Sequence, residues 1–415
     1  AFNIQVYRPL QSYSITNSMI NEKQTDSYLH KTPSSAGNRR KWTFATWIKL
    51  SEVPTSGYFP RIFSSGVSGG RQTEIALTQT GQIRVEDRDT SLRALHDSEM
   101  TVRDVTGWGH LVVQVDIANA TQSERTKIYW NGVQVTRWAS QTQYSDTNYE
   151  SFINSTNQHR IGESVTYAGN RLGGYLAETH FIDGTVVAPT VFGEDYNDTW
   201  VPKQVTGLTY GTNGFHMNYQ TSSSLGDDVS GQTNDYAEQG TQYQSVDTPT
   251  NNFPTVNVNN TRTSGITVKE GGLFPLKTGA RFLVGTTATA SKDQGGKFYC
   301  EIQLIAQTSA GGGIAIGFTP NGSIPDPDSQ GDMQFTGGWR ARIATGNNNS
   351  SWAIQGGSSV VYAGGNVFAI GDWVGIGIDF DNNFFKIWDE SGTLQLNGDI
   401  SSRALKEKAY TLAMG

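Results

Sequence analysis

The chain has 415 residues, of which only 17% are charged and 11% are aromatic, and 47 are glycine. This length predicts two or three domains, because single domains cluster at roughly 100–200 residues. Glycine and short polar residues weaken helices, and recurring aromatics supply a core, so the composition excludes a helical protein and a disordered chain. The formal net charge of −7 argues against a nucleic-acid partner. No apolar run approaches the roughly 20 residues of a membrane-spanning helix, so no membrane insertion is expected.

The first strong strand pattern covers residues 41–50. Trp42, Phe44 and Ile48 alternate with Ala45 and Trp47, which is the period of two that is typical of a β-strand. Large side chains on both faces predict a central strand that is covered on both sides.

Similar runs predict the rest of a first domain over residues 1–205. The expected strands cover 61–65, 73–78, 82–86, 108–116, 126–130, 133–136 and 174–181. Asn131-Gly132 separates two of these runs and favours a hairpin turn, because both turn positions require positive φ. The pattern predicts an all-β domain.

Residues 206–265 differ in composition from the regions on either side. They are rich in glycine, serine and asparagine and poor in aliphatic residues, so they cannot form a core of their own. Phe215, Tyr219, Tyr236 and Phe253 nevertheless recur along the segment. We expect an extended linker that packs against a domain.

A second β-rich region covers residues 266–415. Strands are expected over 296–304, 313–319, 351–354, 372–380 and 384–388, with a turn at 381–383. The single cysteine, Cys300, lies in an alternating run, which predicts a packed thiol rather than a nucleophile.

The sequence contains no motif of a known catalytic type. Glu86 and Asp87 are neighbours on a predicted strand and point to opposite faces, so they do not form the carboxyl pair of a glycosidase. The chain has no H-E-x-x-H motif, and its six histidines are single. His110 and His180 lie in predicted strands, where a core or half-exposed imidazole is expected. We expect no catalytic residues and no enzymatic activity.

One acidic run has the spacing of a calcium-binding loop. Asp326, Asp328 and Asp332 lie at alternate positions around Gly331. The run lacks the distal glutamate of such loops and contains Pro327, so an acidic surface loop is the alternative interpretation. No other cofactor is expected.

Aromatic side chains in loops are candidate ligand-binding residues, because tyrosine and tryptophan stack on sugars and anchor interfaces. Five of them lie beside asparagine, glycine, serine or threonine, and all are expected at the surface. They are Tyr144, Tyr149, Tyr167, Trp339 and Tyr362. The alternative is that they only cover the ends of a β-sandwich.

Several motifs resemble a laminin-G-like, concanavalin A-type domain of tailed-phage virion proteins, especially those of marine phages and cyanophages. They include F-x-x-W-I-K-L at 44–50, W-x-H-L-V at 108–112 and I-Y-x-N-G at 128–132. Five more are Gly-Tyr-Leu-Ala-Glu at 174–178, Phe-Ile-Asp-Gly at 181–184, Phe-Gly-Glu at 192–194, Trp-Val-Pro-Lys at 200–203 and Tyr-Gly-Thr-Asn-Gly-Phe at 210–215. In that family the run DTPTNNF usually follows, and residues 247–253 have this sequence. The resemblance implies two antiparallel sheets packed as a jelly-roll sandwich.

Residues 266–415 resemble a SPRY domain, which is also a two-sheet β-sandwich. The similarity rests on G-K-F-Y-x-E at 296–301, G-D-W-V-G-I-G-I-D-F-D-N-N at 371–383 and Y-T-L-A-M-G at 410–415. A SPRY domain normally continues with at least one more strand. We therefore expect that the sequence is truncated, with a strand supplied by a neighbouring chain as the alternative.

The two resemblances imply a non-enzymatic structural protein on the exterior of a phage tail or capsid, made in the host cytoplasm. The main expectation is a tail-fibre or surface-appendage adhesin that binds host-surface carbohydrate or protein. The alternative is a capsid decoration or joint protein that binds other virion proteins, and a glycan-degrading enzyme is disfavoured. A homo-oligomer is expected, with a trimer favoured, because symmetric copies multiply weak binding.

Overall fold

The computed structural model describes residues 13–23, 25–261, 267–276, 284–291, 296–303, 313–320, 339–344, 352–356, 359–364, 371–399 and 409–414. The chain divides into two compact units, Pro9–Asn252 and a second that contains Phe253–Gly415. Throughout the described ranges the regular elements are antiparallel β-strands and three short 3-10 turns, without an α-helix. None of the described residues forms a helix that is long and apolar enough to cross a membrane. The predicted all-β fold is confirmed.

Within the part of the first unit that the structure describes, there are eighteen strands and two 3-10 turns, at Gln122–Glu124 and Pro189–Val191. The strands are β1 (Ser18–Asn21), β2 (Tyr28–Lys31), β3 (Lys41–Leu50), β4 (Arg61–Val67), β5 (Arg71–Leu77), β6 (Gln82–Arg88), β7 (Leu92–Thr101), β8 (Gly109–Asp116), β9 (Thr126–Trp130), β10 (Val133–Gln134), β11 (Trp138–Thr142), β12 (His159–Ile161), β13 (Gly174–Asp183), β14 (Gly193–Tyr196), β15 (Thr199–Pro202), β16 (Phe215–Met217), β17 (Ala237–Gln239) and β18 (Tyr243–Ser245).

In the described residues of the first unit, two eight-stranded sheets form the sandwich and β14 pairs with β15 in a separate two-stranded sheet. The first sheet has the order β10-β9-β8-β3-β13-β1-β18, and β16 also pairs with β13. The second sheet has the order β11-β7-β6-β5-β4-β12-β2-β17. The main core is a buried apolar cluster that includes Trp42 and Phe44 of β3 and Ile75 and Val85 of the second sheet. The unit is therefore a sandwich with its core between the sheets.

The central strand β3 is covered on both faces, as its sequence predicts. Trp42, Phe44 and Ile48 belong to the core, whereas Ala45 and Trp47 belong to two smaller apolar clusters. Those smaller clusters also contain Phe192 and Tyr210, and Trp200 packs against one of them. The segment after β13 therefore forms an aromatic cover on the outer side of the first sheet.

The predicted hairpin at Asn131-Gly132 joins β9 to β10. Both residues have positive φ, 48° and 77° respectively. This left-handed conformation is the one that a two-residue hairpin turn requires.

The segment that was predicted as a linker contributes three strands to these sheets. β16 pairs with β13, β17 pairs with β2, and β18 pairs with β1. The division between the two units lies after Asn252, rather than at 205 and 265. The segment has too few aliphatic residues for a core of its own, but its three short strands form backbone hydrogen bonds with strands of the first domain.

Asp247, the first residue of the DTPTNNF run, connects this run to the first domain. Its carboxylate accepts hydrogen bonds from Lys49 Nζ at 2.7 Å and from Trp108 Nε1 at 2.9 Å. The side chains of Lys49 and Asp247 are 0% and 2% exposed. The run is thus fastened to β3 by a buried ion pair.

The described residues of the second unit form thirteen strands and a 3-10 turn at Glu270–Gly272. The strands are β19 (Val256–Thr261), β20 (Thr267–Lys269), β21 (Phe274–Leu276), β22 (Val284–Ser291), β23 (Lys297–Gln303), β24 (Gly313–Pro320), β25 (Trp339–Ala344), β26 (Trp352–Gly356), β27 (Ser359–Gly364), β28 (Trp373–Asp379), β29 (Phe384–Trp388), β30 (Leu394–Asp399) and β31 (Ala409–Met414).

Three sheets form the second unit. The largest has the order β19-β22-β31-β24-β25-β26-β27, another has the order β23-β28-β29-β30, and β20 pairs with β21. Cys300, Ile376, Ile387 and Leu396 are successive cross-strand partners in the four-stranded sheet, and all four are buried. The burial of Cys300 confirms a packed thiol, and this burial raises the pKa of the thiol to about 12.

Candidate functional site

Tyr144 and Tyr149 do not form an exposed ligand-binding pair. Tyr144 is 1% exposed and belongs to the core, and Tyr149 is half-buried against that core. Their hydroxyls donate to the two carboxylate oxygens of Asp87, at 2.9 Å and 2.6 Å. The prediction that Tyr144 is a surface aromatic is wrong, because its hydroxyl satisfies a buried acid on β6.

Burial raises the pKa of the Asp87 carboxyl to about 7, although its hydrogen bonds to Tyr149, Thr73 and Tyr144 oppose this shift. Glu86, the next residue of β6, points out of the core and pairs with Arg88 and Arg84. The predicted opposite orientation of Glu86 and Asp87 is confirmed, since side chains alternate across a strand.

Tyr167 is a surface aromatic, with 48% of its area exposed. The loop that carries it is held by Glu163, which is 2.6 Å from Arg160 and 2.8 Å from Arg171. The guanidinium of Arg160 also lies 4.4 Å from the ring centroid of Tyr28 on β2. We call these five residues (Tyr28, Arg160, Glu163, Tyr167 and Arg171) the Tyr167 surface. Arg160 Nη1 and the Tyr167 backbone N–H both donate to Ser164, so the exposed ring and the ion-paired arginines belong to one connected loop, a combination suited to a polar ligand.

The remaining predicted site residues belong to the second unit. The backbones of Trp339 and Tyr362 lie in strands β25 and β27 rather than in loops. Their predicted ligand binding stays a prediction. Asp326, Asp328 and Asp332 of the predicted calcium loop lie outside the described residues.

Two carboxylates face each other on the outer side of the second sheet. Glu74 of β5 is the cross-strand partner of Glu86 of β6. Glu74 is only 1% exposed, and its Oε2 accepts from Arg61 Nε at 2.8 Å and from Gln72 Nε2 at 2.6 Å. A buried carboxylate that is held in this way is a poor nucleophile or acid for a glycan, since both roles need contact with the scissile bond.

The sequence does not reveal a cluster that the fold assembles from Glu178, His180 and His216. A β-bulge interrupts the pairing of β13 with β3 between Ala177 and His180, and Glu178 has a φ of 47°. The extra residue lets both Ala177 and His180 pack on the outer side of the sheet. His180 is in turn the cross-strand partner of His216 on β16.

The three side chains of this His–Glu cluster are in close contact. Glu178 Oε2 lies 2.6 Å from His216 Nε2 and 3.7 Å from His180 Nε2. The two imidazole rings are stacked with centroids 4.0 Å apart and planes at 18°. His180 Nδ1 is 2.8 Å from the hydroxyl of Tyr210, which fixes the direction of its other nitrogen towards Glu178.

The surroundings of the cluster are aromatic and largely dry. It borders a small crevice of about 200 Å³, which includes space open to solvent, whose lining includes Tyr13, Trp47, His110, Phe192, Pro202 and Lys203. Burial lowers the pKa of His180 well below its usual value, with a smaller effect from His216. Burial, followed by the charge of Glu178 and a hydrogen bond to it, raises the pKa of the Tyr13 phenol.

Two sequence signals for this cluster could have been found. Glu178 and His180 are separated by one residue in a predicted strand, and His216 lies between two apolar residues, Phe215 and Met217. The pairing of β13 with β16, however, joins residues 36 positions apart, and sequence periodicity does not specify such a pairing.

The fold agrees with a match to a known protein family. Residues 23–191 match the family model described as the concanavalin A-like lectin/glucanases superfamily, a laminin G-type model. The chain therefore contains a laminin G-like, concanavalin A-like domain, which is a domain type suited to binding. No curated protein matches the sequence.

Solved structures with similarity to this chain include three of different kinds. A putative carbohydrate-binding protein from Bacteroides ovatus is 13% identical with a TM-score of 0.35, over 57% of this chain and 61% of that one. The LG4-5 domains of the mouse laminin alpha1 chain are 9% identical with a TM-score of 0.33, over 98% of this chain and 83% of that one. The PSpry domain of TRIM65 is 11% identical with a TM-score of 0.28, over 39% of this chain and 83% of that one.

Proposed function

We propose that this chain is a non-catalytic adhesin on the surface of a tailed-phage virion, carried by a tail fibre or another surface appendage. The observation that carries the proposal is the match of residues 23–191 to a concanavalin A-like lectin family. The phage assignment rests on the order of the motifs at 174–184, 192–215 and 247–253. The ligand is a host-surface carbohydrate or protein.

The Tyr167 surface is the proposed contact for this ligand. Its exposed ring can stack on the apolar face of a sugar, and Arg160 and Arg171 supply donors for hydroxyl or carboxylate groups. Glu163 pairs with both arginines, so little side-chain freedom is lost when a ligand binds. Binding at one such surface is weak, and several copies in one appendage raise the avidity.

The absence of catalysis is part of the proposal. In the second sheet Glu74 is paired with Arg61, and Asp97 is paired with Arg84 at 2.7 Å. These contacts support a structural role for both acids. Incubation of the protein with host polysaccharide is expected to release no reducing ends, and their release would contradict the non-catalytic part of the proposal.

The binding test compares Tyr167→Ala with Tyr196→Ala. Tyr196 is 41% exposed on the β14–β15 hairpin, so it is a matched surface tyrosine outside the Tyr167 surface. On glycan arrays and host cells, Tyr167→Ala should lower binding by at least about tenfold, since a base-sized stacking contact contributes roughly 1–3 kcal/mol. Equal loss in both variants, or none in either, would contradict the proposed contact.

The location is tested by immunogold labelling of virions with an antibody against residues 1–205. Gold at the tail supports the adhesin. Gold spread evenly over the head would reject the tail assignment and favour a capsid decoration protein.

A further inference from the structure

We propose that Glu178, His180 and His216 bind a divalent transition-metal ion, with zinc favoured, that fastens β16 to β13. The candidate ligand atoms are one carboxylate oxygen and the Nε2 atoms of the two histidines, and all lie within 4.8 Å of one another. Two imidazoles and a carboxylate are a donor set that suits zinc and its neighbours in the first transition series.

The distances are compatible with an ion after a small rearrangement. Ligand atoms about 2.0–2.1 Å from a tetrahedral zinc are roughly 3.3 Å apart. The Glu178–His180 distance of 3.7 Å is close to this value, and the Glu178–His216 hydrogen bond of 2.6 Å must open. The ring of His216 must also turn about χ2 so that its lone pair points to the same ion as that of His180, and this torsion is soft in histidine.

Ligation by His180 requires one tautomer of its ring. His180 is the better defined of the two histidines, because Tyr210 is within hydrogen-bond distance of its Nδ1. Its Nε2 can bind an ion when the proton of the neutral ring lies on Nδ1, where it is donated to the hydroxyl of Tyr210. Tyr13 and Tyr210 then orient the ligands through the hydrogen bonds described above.

A second observation comes from His110, which lines the same crevice and is 1% exposed. Its Nδ1 accepts a hydrogen bond from Trp200 Nε1 at 3.1 Å, so the proton of the neutral ring is on Nε2. In the described part of the chain, this buried Nε2 has no hydrogen-bond partner. A buried donor without a partner in the same crevice calls for an acceptor there, such as an anion or a water.

The ion would connect the segment after residue 205 to the concanavalin A-like domain. His216 belongs to the three-residue strand β16, whereas Glu178 and His180 belong to the long strand β13. A short strand gains from such a link, because the ion closes a loop of 36 residues between His180 and His216.

The first test titrates the metal-free full chain with Co²⁺, whose visible absorption is strong in tetrahedral sites. The wild type is expected to bind one equivalent, and Zn²⁺ is expected to abolish the absorption. His216→Gln should weaken metal binding by at least about tenfold, since even the loss of a residue that only hydrogen-bonds to a metal ligand weakens binding by this much. His30→Gln, on β2 of the second sheet, is the matched control and should bind as the wild type does. Absence of absorption in the wild type, or equal absorption in His216→Gln, would overturn the proposal.

The second test needs no variant and remains valid if His216→Gln does not fold. Diethyl pyrocarbonate modification of His216 and His30 is followed by mass spectrometry with and without Zn²⁺. At an ion concentration of 100 times Kd the free site falls to about 1%, so modification of His216 should slow on the order of 100-fold. His30 should be unaffected. An unchanged rate at His216 would show that the cluster is only a hydrogen-bonded Glu–His pair.

Discussion

On the outer sides of the two sheets in the first unit, polar side chains differ in how far they are exposed to water. On the first sheet, Lys49, His110 and His180 are at most 1% exposed and lie beneath aromatic side chains. On the second sheet, Arg84, Glu86 and Arg88 are half-buried and form ion pairs along β6, whereas the neighbouring Glu74–Arg61 pair is buried. The two faces have the same strand geometry, so the difference lies in what covers them.

The aromatic cover accounts for the burial of polar side chains on the first sheet. The cover brings Phe192, Trp200 and Tyr210 over the first sheet and removes water from its polar side chains. Charges without water must be paired, because a lone buried charge costs several kcal/mol. Substitutions on the covered face should therefore be more costly than similar ones on the charged face.

The largest effect is expected for Asp247→Ala. This change leaves the buried Lys49 ammonium without the carboxylate that lies 2.7 Å away. Loss of one partner of a buried pair costs about 3–5 kcal/mol of unfolding free energy. Urea unfolding followed by tryptophan fluorescence measures the change.

The double variant Lys49→Met with Asp247→Leu is the control for this prediction. It removes both charges, so most of the lost stability should return. If the double variant is as unstable as Asp247→Ala, the cost comes from lost packing and not from an unpaired charge.

The next largest effect is expected for Phe192→Ala in the cover itself. Phe192 is 2% exposed, and its ring centroid is 5.1 Å from that of His180. Truncation of a buried phenylalanine costs about 3 kcal/mol and would also admit water to the polar groups below. Leu95→Ala, a half-buried position on the charged face, should cost about 1 kcal/mol or less. Equal costs at the two positions would mean that the cover does not protect the first sheet.

The sequence predicted the strands well but not the contacts that distant segments make. Alternation in residues 41–50 and the Asn131-Gly132 dipeptide depend on neighbouring residues, so periodicity was sufficient for them. The pairing of β16, β17 and β18 with distant strands depends on the completed sheets. From the Gly- and Ser-rich composition of residues 206–265 alone, the sequence therefore predicts a linker and not these three strands.

The same difference between local sequence patterns and contacts of distant segments applies to the candidate sites. Tyr167 was predicted as a surface aromatic from its neighbours in the loop, and it is exposed. Tyr144 has similar neighbours but is buried, because Asp87 of β6 attracts its hydroxyl. The Glu178, His180 and His216 cluster needs a bulge and a cross-strand pair, which no short motif encodes.

An effect that depends on pH is expected at Asp87. The native carboxyl has a pKa of about 7 because of burial, whereas in an unfolded chain it titrates near 4. Between these values the native state holds a proton that the unfolded chain lacks. The unfolding free energy that this group contributes is therefore fully present below about pH 4. It decreases by about 1.4 kcal/mol per pH unit as the pH rises from 4, until the native carboxyl has lost its proton above pH 7.

Asp87→Asn isolates this contribution from those of other groups. The variant keeps a polar side chain near Tyr144 and Tyr149 but cannot titrate. The unfolding free energy of the wild type minus that of Asp87→Asn should decrease between pH 5 and pH 7. A constant difference over this range would show that the native carboxyl is ionised throughout.

The smallest effect is expected for Asp97→Ala on the charged face. Asp97 accepts two hydrogen bonds from Arg84, both at 2.7 Å, but the arginine side chain remains 22% exposed. Arg84 also keeps Glu86 at 3.5 Å after the substitution, so no buried charge is left unpaired. Ion pairs that water reaches contribute about 1 kcal/mol or less, and added salt weakens them. Unfolding at low and high salt should therefore show a small loss that shrinks as salt is added. A loss as large as that of Asp247→Ala would mean that the two faces are equally desolvated, and that the aromatic cover is not the source of the difference between them.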